Sequence, residues 1–135
     1  MNHEIKVVRV RDVMKSGVDI VDGMMTVADV LESLKFPETR TIIVNKRHPD
    51  DEYGIVMLSD IARKVMGAAR SPDRVNIYEI MSKPVLSVHP SMDVRYCVSL
   101  LGQFGLSRIP VIDNGQIIGL VSYSDIVLKG MPRNN

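Results

Sequence analysis

The sequence repeats itself, and this duplication restricts the fold more than any other feature. Near the middle it reads Gly54-Ile55-Val56-Met57-Leu58-Ser59-Asp60-Ile61, and near the end Gly119-Leu120-Val121-Ser122-Tyr123-Ser124-Asp125-Ile126. Each copy is an apolar run that leads into a Ser-Asp pair, the pattern of a strand delivering the chain to a helix start. The flanks correspond as well. Arg11-Asp12-Val13-Met14 matches Tyr78-Glu79-Ile80-Met81, an offset of 67 from Met14 to Met81. At the same offset, Val27, Val30, Leu31 and Leu34 match Val94, Cys97, Val98 and Leu101. Both sets fall at i, i+3, i+4 and i+7, one face of a helix. Thr26 and Asp93 stand just before these helices as N-caps, and Thr26 has Asp29 three residues on.

A strand follows in each half, Thr41-Ile42-Ile43-Val44 and then Arg108-Ile109-Pro110-Val111-Ile112. Asp113-Asn114-Gly115-Gln116 signals a tight hairpin, because Asn-Gly accepts positive φ at both central positions. The first-half connection, 45–52, is longer. That extra length accounts for the motif offset of 65 from Asp60 to Asp125. Helical patterns continue over 61–69 and 126–129, short β segments lead each half at 18–21 and 85–88, and 67–76 connects the halves. Each half therefore reads β-α-β-β-α, preceded by a short helical turn ending in Met. One such unit has too small a core to stand alone, so two are expected to pack together.

Composition narrows the function classes. The 135 residues are 45% hydrophobic and 24% charged, but only 4% aromatic with no Trp, so the core must be aliphatic and Met-filled. A net charge of +1 argues against a nucleic-acid or anionic-membrane partner. One Cys excludes an internal disulfide and fits a reducing compartment. No apolar run approaches the roughly 20 residues of a membrane span, and residues 1–6 carry no secretory-signal pattern. The chain reads as cytoplasmic. Neither a Walker loop nor G-x-G-x-x-G occurs, and no Ser-His-Asp set has supporting motif context. His3, His48 and His89 lack metal-ligand spacing. Cys97, on an apolar helix face, reads as a buried hydrophobe, and Met14 and Met81 read as core filling. The mixed-charge stretch 46–52 reads as a solvated loop. An enzyme is not expected.

The paired Met14 and Met81, the strand from Arg108 to Asp113, the Asn114-Gly115 turn and the doubled Gly-to-Asp motif resemble the CBS domain family, as the tandem pair called a Bateman module. The resemblance covers about residues 10–131. It implies an α+β (mixed α/β) fold of two repeats, 8–70 and 71–131, related by a pseudo-two-fold with sheets packed together and helices outside. It also implies a regulatory module that binds AMP, ADP, ATP or an S-adenosylmethionine-like compound between the repeats, with no required cofactor. In the family the conserved Asp holds ribose, the residue three earlier contacts phosphate, and apolar backbone holds the base.

Carried onto this sequence, Asp125 would take the ribose diol, since its two acceptor oxygens match two hydroxyl donors. Ser122 offers a hydroxyl and Arg108 a two-pronged phosphate contact. Tyr123, Ile109 and Pro110 lie beside them; Pro110 lacks an N–H and suggests an exposed edge for adenine. Lys83 and Val85 join by the resemblance alone. The chemistry also permits a plain reading: Asp125 as part of a helix cap, Ser122 facing solvent, Arg108 a surface charge. In the first repeat Asp60 persists, but Met57 replaces Ser122, Thr41 replaces Arg108 and Ile43 replaces Pro110. A site of Asp60, Met57, Thr41 and Ile42 should therefore be weaker.

The leading expectation is a stand-alone sensor whose ligand state is read by a partner protein, because the repeats fill the given sequence. Homodimerisation through leftover helical faces is expected too. The alternative is a dimerisation or docking module without a physiological small ligand.

Overall fold

A computed structural model describes residues 6–131. His3 and the stretch without a signal pattern at 1–5 lie outside the described residues. The chain packs as two compact units, 17–85 and 1–16 with 86–135.

In the unit 17–85, β1 (Asp19–Val21) runs parallel to β2 (Thr41–Val44), and β2 runs antiparallel to β3 (Gly54–Met57), giving the order β1-β2-β3. The central strand β2 is buried at all four positions, whereas β3 alternates. That is the pattern of a strand with neighbours on both sides against one with an exposed face. Helix α2 (Val27–Ser33) begins where Thr26 Oγ1 accepts the Asp29 N–H at 3.1 Å. After it, the buried Asp19 carboxylate accepts the N–H groups of Lys35 and Phe36, both at 2.9 Å, and turns the chain back towards β2. Val27, Val30, Ile42, Val44, Val56, Ile61 and Ile77 share the core. After β3 come α3 (Leu58–Ile61) and a π turn over Ala62–Met66, so the helical pattern at 61–69 starts three residues earlier than the sequence predicts.

The 45–52 connection is not merely solvated. Lys83 Nζ lies 2.6 Å from Asp51 Oδ1, and Arg47 bonds Asp51 Oδ2 through its N–H at 2.9 Å and Nε at 3.2 Å. The Lys83 ammonium, with the Arg47 N–H, holds the Asp51 carboxyl well below the usual carboxylate range.

The second unit begins with α1 (Val10–Val13), the short helical turn expected before Met14, which is its C-cap. It continues with α4 (Val94–Phe104), the hairpin of β4 (Arg108–Asp113) and β5 (Gln116–Ser122), and α5 (Tyr123–Gly130). Val10, Val13, Cys97, Leu101, Ile109, Val111 and Val121 form its core. The turn between β4 and β5 has φ of 50° at Asn114 and 74° at Gly115, as an Asn-Gly hairpin requires. In both long helices the i+4 apolar position faces outward: Leu31 is 41% exposed and Val98 39%.

The β segment predicted at 85–88 shrinks to one parallel bridge, Val88 to Val111. Val88 donates to the Pro110 carbonyl at 3.0 Å and accepts from Ile112 N–H at 3.0 Å. The next rung back along a parallel ladder would need an N–H from residue 110, which proline lacks. Ile43 stands at the equivalent place in the first unit, where the ladder runs three residues.

The sequence repeats 8–70 and 71–131 describe internal likeness; the packed units divide the chain elsewhere. Each leader turn docks on the hairpin of the other repeat. Lys15 exchanges two backbone bonds of 2.8 Å with Leu120, and Ser82 exchanges two of 2.9 Å with Ile55. The repeated glycine makes room for this. A Cβ at Gly119 would lie 2.5 Å from the Lys15 carbonyl oxygen, and one at Gly54 would lie 2.5 Å from Met81 Sδ. Met14 and Met81 thus fill the space above these glycines.

Candidate functional site

The strand β5 ends at Ser122, which caps α5. Its Oγ accepts the Asp125 N–H at 3.2 Å and donates to Asp125 Oδ2 at 2.9 Å, while its N–H donates to the same oxygen at 3.0 Å. This reciprocal cap satisfies two N–H groups at the helix start. The sequence places the helix start at the Ser124-Asp125 pair; the structure puts it at Ser122, with Asp125 in the third helical position. Capping therefore consumes Oδ2 and leaves Oδ1 facing Lys15 Nζ at 3.8 Å. Asp125 is only 4% exposed.

Arg108 is the cross-strand partner of Ser122, so the β4–β5 ladder brings Arg108, Ser122 and Asp125 together. Arg108 is half-buried. Tyr123 begins α5 with its side chain partly exposed. Ile109 points into the core and Pro110 is buried, with its carbonyl already taken by Val88. The edge that the proline suggested is thus covered at that point by the leader. Lys83 and Val85 belong to the other compact unit, where Lys83 pairs with Asp51. The helical turn bonded to the Asp125 hairpin is the first one, through Lys15, while Val88 pairs with its other strand.

The first-repeat motif has the same backbone plan and different chemistry. Asp60 Oδ2 accepts the Met57 N–H at 2.8 Å, as its counterpart accepts that of Ser122. Its Oδ1 accepts from Arg63 Nη2 at 2.9 Å. Thr41 is buried and donates its hydroxyl to the Thr39 carbonyl at 2.9 Å, and Ile42 is fully buried in the core. Of the four residues expected there, only Asp60 and Met57 keep partly accessible atoms.

Two residues that matter were not singled out from sequence. Arg63 was legible, since it stands three positions after Asp60 on a helical pattern. Lys15 was not: the leader position it occupies holds Ser82 in the other half, and only the pairing with Leu120 places it beside Asp125. No group of three or more His, Cys, Asp or Glu side chains among the described residues could hold a metal ion, and no helix there is long and apolar enough to cross a membrane.

A CBS domain family model matches residues 77–130. The structure of the hexameric CBS-CP12 protein from bloom-forming cyanobacteria superposes with a TM-score of 0.83 at 37% identity, covering 91% of this chain and 71% of that one. The chain belongs to the CBS domain family. As a CBS pair it is also 34% identical to an uncharacterised protein of Methanopyrus kandleri over 81% of this chain and 57% of that protein. The chain thus spans less than two thirds of that curated relative. A CBS domain pair solved in complex with 5′-methylthioadenosine and S-adenosyl-L-methionine shares the fold, with a TM-score of 0.76 at 20% identity and coverage of 91% and 95% of the two chains. The helix and strand content of this CBS pair agrees with the mixed α+β class that the family resemblance implies.

Proposed function

We propose that this CBS pair is a regulatory module that binds an adenosyl ligand at Asp125 and passes its occupancy to a partner protein. The observation that carries the reading is the state of the Asp125 carboxylate. It is nearly buried, one oxygen is spent on the helix cap, and among the described residues the other faces the Lys15 ammonium at 3.8 Å. A ribose hydroxyl donating to Oδ1 at hydrogen-bond distance would complete the carboxylate's set. Arg108, the cross-strand partner of Ser122, lies beside it as a phosphate-side donor, the role that the family resemblance implies, whereas the one hydroxyl proton of Ser122 is already given to Asp125 Oδ2. The fold's capacity for such ligands is supported by the relative that contains two adenosyl compounds. A ligand shifts a two-state module only by its difference in affinity for the two states, so the partner must read a packing change that occupancy favours.

Calorimetric titration of AMP, ADP, ATP and S-adenosylmethionine against wild type and Asp125→Asn tests this. The asparagine keeps an oxygen for the Ser122 cap and replaces Oδ1 with an amide donor. Binding by wild type that weakens at least about tenfold in the variant supports the reading, since a charge-assisted bond contributes roughly 1.5–3 kcal/mol. Equal binding, or no binding by wild type at millimolar ligand, rejects it.

A second reading, self-association or docking without a ligand, draws on a different observation. Tyr96 and Phe104 on α4, and Val127 and Leu128 on α5, are large apolar side chains left exposed. Such faces serve as contacts between chains. Light scattering on wild type and on Leu128→Glu decides it: a dimer that the substitution dissociates supports the contact, and a monomer in both cases removes it.

A further inference from the structure

Lys15 is fixed at its backbone and loose at its tip. Two 2.8 Å bonds tie it to Leu120, and Gly119 is bare so that the leader can approach. Its side chain, 48% exposed, reaches over to Asp125 Oδ1 at 3.8 Å. That distance is beyond a direct charge-assisted hydrogen bond, which lies at about 2.7–2.9 Å. The ammonium therefore offsets the charge of a nearly buried carboxylate without occupying the oxygen's hydrogen-bonding position. Asp60 is the contrast: Arg63 closes its second oxygen at 2.9 Å from the same helical segment.

We propose that Lys15 is the selectivity residue of the Asp125 site, a counter-ion that moves from the carboxylate to an anionic group of the ligand. This rests on the reading of Asp125 as the diol acceptor. A diol that bonds Oδ1 supplies donors where the ammonium supplied charge, and crowds the ammonium away. With its Cα held by Leu120, the flexible stem keeps Nζ near the site. A phosphate on the ligand gives it a new partner; a neutral nucleoside gives it none. The site therefore favours nucleotides over the matching nucleoside. In the empty state the same ammonium offsets part of the cost of burying the carboxylate.

Calorimetric titration with AMP and with adenosine, on wild type, Lys15→Met and Asp125→Asn, separates this claim from the one beneath it. Methionine keeps the stem's length and bulk and removes the charge. Wild type is expected to bind AMP at least about tenfold more tightly than adenosine, the scale of one charge-assisted bond. In Lys15→Met the AMP advantage should fall to near parity, with adenosine bound as well as by wild type or better. If both ligands bind, depend on Asp125, and keep their ratio in Lys15→Met, Lys15 is a bystander and the selectivity proposal is overturned while the site stands. If neither binds wild type, or Asp125→Asn changes nothing, the site itself is refuted and Lys15 with it. Unchanged thermal unfolding of Lys15→Met, whose side chain is half in solvent, confirms that the comparison is between folded proteins.

Discussion

Ser122 and Asp125 cap one another across the first turn of α5: each uses its side chain to satisfy the other's backbone N–H, at 3.2 and 3.0 Å. The same carboxylate proposed to hold a ligand thus also starts a helix, with the two duties divided between its two oxygens. Replacing Ser122 by alanine removes the 3.2 Å bond, together with the 2.9 Å bond from the hydroxyl to Asp125 Oδ2, and leaves the backbone bond at 3.0 Å. Loss of a Ser cap is expected to destabilise the fold by about 1 kcal/mol, read as a lower urea midpoint with unchanged slope. A midpoint equal to wild type would show that the cap is formed by water as well as by Ser122.

The two motif glycines should differ in their tolerance of a methyl group. At Gly119 the added Cβ meets the Lys15 carbonyl, which is backbone, whereas at Gly54 it meets the end of Met81, which can rotate away. Gly119→Ala should lower the unfolding free energy by roughly 1–3 kcal/mol, the usual cost of overpacking, and Gly54→Ala by less. Thermal unfolding of both variants checks the order; equal losses would mean that the first leader is as easily displaced as a Met side chain.

Unequal sites follow from Arg63 as much as from the missing serine. With Asp60 closed by Arg63 at 2.9 Å and Thr41 bonded internally, one adenosyl ligand per chain is expected at Asp125. Arg63 is largely in solvent, so Arg63→Met should fold normally and free Asp60 Oδ1. Calorimetric stoichiometry should then rise above one, through a second, weaker step. Two equal sites in wild type would contradict the asymmetry.

Burial pushes the Cys97 thiol up to about 11. Thiolate is the reactive form, so the native protein should react slowly with a disulfide reagent at pH 8 and rapidly once unfolded. The linkage has a definite sign. The folded value lies above the ordinary 9.0, so the folded state holds this proton more tightly. The associated stability is complete below pH 9 and is lost as pH rises towards 11. Cys97→Ala should flatten that alkaline decline in urea titrations, after its own constant packing loss; an identical pH profile would exclude Cys97 as the source.

Much of the fold was legible because its signals are local. The caps Thr26 and Asp93, the Asn114-Gly115 turn and strand β2 each follow from a few neighbouring residues, and the structure places each of them at or within one residue of its expected position. Duplication then repeated the reading and fixed the order of elements. Pro110 was read correctly as lacking a donor but its consequence fell elsewhere: it shortens the leader's ladder rather than baring the strand edge.

What sequence alone determined was the repeated unit, its caps and turns, and the Asp that ends each motif. Tertiary structure alone decided which leader lies on which hairpin, and hence that Lys15 stands beside Asp125 while Lys83 pairs with Asp51. The reason is range. A cap or turn is set by backbone groups within four residues, but the pairing of each leader turn with its hairpin is a matter of long-range contacts, with Met14 over Gly119 and Met81 over Gly54. Those contacts join segments far apart in the chain, and no local pattern records them.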